Sequence, residues 1–214
     1  MARANSAYDQ SDPRALREMY LFLRTEVLEL SSRWIVFKQL FAQGDARVKL
    51  LNKEVPAFFK MFHDSMRDGI FMSISRLTDD PNVSRKHTLS LGQLTGHAER
   101  VCGAADAGRM GALLAEIKKE REAIKVWRDK SGAHNDLHSA IDPLRPLPPI
   151  MFDSVGVVLG QVGDLLNLVG SLIGERPTDF ESIIIFGDGD TIVSCIEQSK
   201  EHRFCPTKPR ASHE

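Results

Sequence analysis

Apolar residues recur every three or four positions along most of the chain. After Asp12 and Pro13, an N-cap and first-turn pair, the positions Leu16, Tyr20, Leu23, Val27, Leu30, Trp34, Phe37 and Phe41 keep that step and predict one long amphipathic helix. Gly44 and Asp45 end it. A turn around Asn52 follows, and Val55-Pro56 opens a second helix with the stripe Phe59, Phe62, Met66, Ile70, Ile74 and Leu77, stopped by Asp79, Asp80 and Pro81. The polar stretch Asn82 to His87 reads as a loop, after which Thr88 or Ser90 caps a short helix through Leu91, Leu94 and Val101. Gly103 closes that helix. The next starts at Asp106, with Leu113, Ile117, Ile124 and Trp127 inward and alternating charges outside.

Pro143, Pro146, Pro148 and Pro149 make Asp142 to Pro149 a stiff connection that cannot be helical. From Met151 the stripe Phe152, Val155, Leu159, Val162, Leu166, Val169 and Ile173 predicts a further long helix, whose Gly156, Gly160, Gly163 and Gly170 allow a neighbour to approach closely. Ile183 to Phe186 is a short β-prone run, and Asp190 is placed to cap a last helix containing Val193, Ile196 and Lys200. No repeat, heptad series or low-complexity tract intervenes. The pattern predicts an all-α bundle of about five main helices in one domain, spanning residues 12–204 between a flexible N-terminus (1–11) and a flexible tail (205–214).

Composition narrows the function classes. The chain has 28 Lys and Arg against 29 Asp and Glu, so it carries no global field of the kind that draws a basic protein to nucleic acid, and any anion site must be local. Cys102, Cys195 and Cys205 lack metal spacing and disulfide-scaffold density, as suits a reducing interior. The polar start MARANSAYDQSDP has no signal-peptide core, which predicts a cytoplasmic protein. The apolar run Val155 to Gly174 is interrupted by Gln161, Asp164 and Asn167, so it is expected to be a core helix rather than a membrane span. His87 and His97 have no carboxylate partners at ligand spacing, and the GDGD at Gly187 to Asp190 matches a calcium loop for two residues only, so no metal site or cofactor is expected.

One stretch carries candidate chemistry. Lys118, Arg121, Lys125 and Arg128 follow at spacings of three, four and three, which lines them along one helix face leading to His134. A polyanion along that stripe would meet guanidinium forks suited to phosphate and then an imidazole whose ordinary pKa, about 6.5, permits proton transfer near neutrality. RNA fits better than DNA, because its 2′-hydroxyl is an internal nucleophile and needs no metal-activated water. His134 would then be acid or base, Arg128 the stabiliser of the phosphorane, and Asp129, Lys130, Asn135 and Asp136 further RNA contacts. A structural reading stands beside this one. Arg128 and Lys130 favour a helix C-terminus through its dipole, Asn135 and Asp136 are standard turn residues, and Glu116, Glu120 and Glu122 can pair with the stripe along a solvated face.

Arg128, Asp129 and His134, within RDKSGAHND (Arg128 to Asp136), match the R-x4-6-H signature of the HEPN superfamily, and no other stretch of this chain does despite its 7 histidines. LLNKEVPAFF (Leu50 to Phe59) and ISRLTDDP (Ile74 to Pro81) resemble its abortive-infection AbiU-type branch. The resemblance covers roughly residues 12 to 200. It implies a HEPN-like helical bundle that forms a homodimer with two motifs facing across a shared cleft, a metal-independent endoribonuclease acting as toxin or phage-defence effector, and a neutralising antitoxin partner. Members without nuclease activity are known, so it equally admits a non-catalytic helical dimer that binds nucleotide, RNA or a protein partner.

Overall fold

The computed structural model describes residues 13–80, 82–83, 86–129 and 152–203. The expected Asp12 cap, the proline-rich connection and both flexible ends lie outside these residues. Eight helices occur among them: α1 (Pro13–Phe41), α2 (Asp45–Glu54), α3 (Pro56–Thr78), α4 (Leu91–Ala98), α5 (Ala104–Glu120), α6 (Glu122–Trp127), α7 (Phe152–Leu172) and α8 (Gly189–Arg203). The architecture is an all-α bundle. A two-residue antiparallel pair, β1 (Asn82–Val83) and β2 (Lys86–His87), interrupts the expected loop, with Asn82 opposite His87 and Val83 opposite Lys86.

α1 is the hub, touching α2, α3, α4, α7 and α8. Its stripe from Leu16 through Phe37 is buried with Ile70, Phe71, Ile74 and Leu77 of α3, Leu91 and Leu94 of α4, and the apolar face of α7. A second, smaller cluster joins Leu40, Leu51, Phe59 and Val193 where α1, α2, α3 and α8 meet. By length and composition Asp153–Leu172 is apolar enough to cross a bilayer, contrary to the sequence expectation. Its buried face, Val155, Val158, Val162, Leu165, Leu166 and Val169, is spent on α1 and α5, as a core helix requires.

Three other expectations are corrected. Asp45–Glu54 forms a helix where a turn around Asn52 was expected, because packing against α1, α3 and α8 stabilises a segment with one fully buried side chain, Leu51. Ile183 to Phe186 forms no strand, and Ile184 and Phe186 stand 84% and 96% exposed. α8 is capped by Asp188 instead of Asp190: Asp188 Oδ1 accepts the Thr191 N–H at 3.0 Å and the Thr191 hydroxyl at 2.8 Å. Gln39 of α1 completes the cap, donating to Asp188 Oδ2 at 2.7 Å and accepting the Gly189 N–H at 2.9 Å, while Asp190 pairs with Arg47. The hydrogen bonds from Thr191, first its backbone, hold the Asp188 carboxyl below its usual range.

The glycines of α7 serve close packing. A Cβ on Gly170 would sit 2.7 Å from the Tyr20 hydroxyl and 3.0 Å from Cζ, and Tyr20 is buried with little room to rotate. Gly170→Ala is expected to lower the denaturation midpoint, because overpacking costs on the order of 1–3 kcal/mol against the roughly 1 kcal/mol that helix propensity returns. A midpoint at or above wild type in urea would show that the ring yields freely.

Candidate active site

α3 stops at Asp79, whose extended backbone (φ −62°, ψ 155°) carries the chain out of the helix. This places the Asp79 and Asp80 carboxylates beside the junction of α5 and α6. The junction is a local departure at Arg121 (φ −75°, ψ −5°), across which the Arg121 N–H still donates to Ile117 O and the Lys125 N–H to Arg121 O, each at 3.0 Å. The basic residues predicted to line one helix face therefore remain in helical sequence, but they meet the end of α3. Lys118 donates to Asp80 at 2.8 Å, and Arg128 Nη1 donates to both Asp79 oxygens at 2.8 and 3.1 Å. Arg121 is buried, its Nη1 lying 3.6 Å from Asp79 Oδ1. Lys125 is half-buried and adds its field to Asp80.

Two acids thus gather the stripe. The hydrogen bond and charge of Lys118, with Arg121 and Lys125 behind, hold the Asp80 carboxyl below its usual range despite slight desolvation. Glu116, Glu120 and Glu122 are spaced for pairing along the helix, yet the bridges of Lys118 and Arg128 run to residues 38 and 49 positions away.

The helical backbone continues through Arg128 (φ −56°, ψ −50°). Its guanidinium is held on two sides, since Nε donates to Asp129 Oδ1 at 2.8 Å and Nη2 lies 2.8 Å from the same oxygen. Burial opposes its charge, but the hydrogen bonds to Asp129 and Asp79 outweigh that cost and raise its pKa above that of an ordinary arginine. The cation is fixed in place and permanently charged. The preceding residue, Trp127, packs edge-on against Phe71 (5.7 Å between centroids) and lies under the Arg67 guanidinium at 4.5 Å. Arg67 in turn pairs with Asp68 at 2.9 Å and Asp64 at 3.3 Å.

Of the residues expected to form the site, Lys118, Arg121, Lys125, Arg128 and Asp129 are thereby brought to one edge of the bundle. His134, Lys130, Asn135 and Asp136 lie outside the described residues. Asp79, Asp80, Arg67 and Trp127 were not assigned to the site from sequence. In the sequence Asp79 and Asp80 read as a helix stop, which they are, and the signal for a further role is that two adjacent acids occur in the ISRLTDDP stretch that carries the family resemblance. Among the described residues, no three His, Cys, Asp or Glu side chains are grouped to hold a metal ion.

This arrangement offers a rigid guanidinium whose Nε–Nη2 edge, the fork that matches two oxygens of a phosphate, faces an exposed carboxylate and no other partner among the described residues. The family model HEPN_AbiU2, described as AbiU2, matches residues 14–190. No curated protein and no solved structure matches the chain.

Proposed function

The chain belongs to the AbiU2 family of HEPN proteins, and from that premise we propose that it is a metal-independent endoribonuclease acting as a homodimer in which Arg128 and His134 of both protomers face one cleft. The observation that carries this reading is the Arg128 guanidinium, locked at the end of α6 by Asp79 and Asp129, six residues before the histidine. A positioned cation is the part of phosphodiester cleavage that a mobile surface arginine cannot supply, since stabilisation of developing charge depends on donors that need not reorganise.

In the reaction, one imidazole takes the proton of the ribose 2′-hydroxyl, whose oxygen attacks the adjacent phosphorus. The bond from phosphorus to the 5′-oxygen breaks, and that oxygen leaves with a proton from the counterpart imidazole across the dimer. Arg128 neutralises the pentacovalent phosphorane between these steps. The products are a 2′,3′-cyclic phosphate and a free 5′-hydroxyl. The biological role that goes with such an activity is that of a toxin or phage-defence effector, restrained by a neutralising protein partner.

The test is to incubate the purified chain with single-stranded RNA in excess EDTA and identify the ends. Cyclic phosphate termini are expected. Linear 3′-phosphate or 3′-hydroxyl termini at the earliest times, or cleavage that requires added metal, would remove this mechanism. RNA bound yet left intact would favour the second reading, a non-catalytic helical dimer, which the near balance of charge and the carboxylates on Arg128 both support.

A further inference from the structure

The two carboxylates on Arg128 are not equivalent. Asp79 is 24% exposed, grips Nη1 with both oxygens, and lies 3.6 Å from Arg121, a guanidinium only 6% exposed. Among the described residues, Arg121 Nε and Nη1 have no hydrogen-bond partner, so Asp79 is the nearest compensation for a buried charge. If Asp79 swung away, that charge would be left alone in a poorly solvated place. Asp129 is the next residue along the chain from Arg128, is 49% exposed, and covers the Nε–Nη2 edge through a single oxygen. It can leave into water at little cost.

Resting on the nuclease reading above, we propose that Asp79 is a positioning residue that stays on Arg128 throughout the reaction, whereas Asp129 occupies the place of the RNA phosphate and is displaced by it. The incoming phosphodiester takes the Nε–Nη2 fork, and Asp129 turns out to solvent. Once Asp129 has left, the charges of Arg121 and Arg128 face the single charge of Asp79, so this trio presents a net positive charge to the phosphodiester. Asp79 keeps the guanidinium aimed while its other edge changes partner. The two acids therefore have opposite effects: one aims the catalytic cation and the other competes with substrate.

Steady-state cleavage of a short single-stranded RNA by wild type, Asp79→Asn and Asp129→Asn tests this, at a temperature where circular dichroism shows every variant folded. Asp129→Asn is expected to lower KM several-fold, because the competing anion is gone. Asp79→Asn is expected to lower kcat on the order of tenfold or more, with a smaller change in KM, as follows when a catalytic group is misaimed by a fraction of an ångström. A purely structural role for Asp79 would leave kcat of the folded protein in place. The proposal is overturned if Asp129→Asn raises KM or leaves it unchanged, or if Asp79→Asn cleaves as fast as wild type or faster. The Asp129 variant alters an exposed side chain and reads out even if the Asp79 variant folds poorly. A wild type that cuts no RNA under any condition tested sinks the nuclease reading and this proposal together, whereas an active wild type whose two variants are slowed alike sinks only the proposal.

Discussion

His134→Ala is expected to lower RNA cleavage by about 10²–10⁴-fold, the range that a positioned acid or base contributes, while the protein keeps the helical signal and melting temperature of wild type. His134 is the imidazole nearest Arg128 in the sequence, ahead of His138, and an imidazole exchanges a proton near neutral pH. Arg128→Ala is expected to cost about 10²–10³-fold, as loss of a single oxyanion donor does elsewhere. The double variant should be little worse than the more damaged single one, because the two groups act on one transition state and their effects are not additive. Single-turnover rates with excess enzyme separate these losses from changes in RNA affinity. Undiminished cleavage by His134→Ala would end the catalytic assignment, whatever the fold.

The second large effect concerns stability. Asp79→Ala removes the carboxylate facing buried Arg121 and should destabilise the bundle by about 3 kcal/mol, at the low end of the roughly 3–5 kcal/mol seen when one member of a buried pair is removed, because Asp79 keeps some contact with solvent. Arg121→Met in the same chain should restore much of that loss, since an apolar side chain of similar length needs no counter-charge in the site between α5 and α6. Urea denaturation of the wild type, both single variants and the double variant forms a complete cycle. A double variant no more stable than Asp79→Ala would mean that Arg121 draws its compensation from elsewhere.

The long helices were legible because their burial follows local spacing. In α1, the predicted positions Leu16, Tyr20, Leu23, Val27, Leu30, Trp34 and Phe37 are all buried, and the stripe from Ile70 to Leu77 in α3 behaves in the same way. α2 escaped notice for the complementary reason. Its sequence DARVKLLNKE is mostly polar, and what makes it helical is the neighbours that cover Leu51. The cap of α8 lies two residues before the expected one because GDGD presents two equivalent acids, and only distant partners, Gln39 for Asp188 and Arg47 for Asp190, tell them apart.

The same limit governed the site. Spacing alone put Lys118, Arg121, Lys125 and Arg128 in one helical series, and they do converge on a common edge. Nothing local indicated that Arg121 would be buried or that Asp79 would reach Arg128 across 49 positions, because pairing at that separation is decided by how α3 and α6 pack. Trp127 was read as a core residue, which is half of its role. Its ring also forms the floor under Arg67, one position from the cation that the site depends on.

The anchoring of Trp127 and Arg128 has a geometric corollary for the histidine. Arg128 is pinned to α3, five residues separate it from His134 in the sequence, and six Cα-to-Cα steps span at most about 20 Å. Whatever path the chain takes, the His134 Cα therefore lies within about 20 Å of the Arg128 Cα, and a second protomer sharing the cleft must bring its own arginine within a comparable reach of it. Inserting a few residues between Arg128 and His134 would relax this upper bound and weaken the constraint that their spacing in the sequence places on a shared cleft.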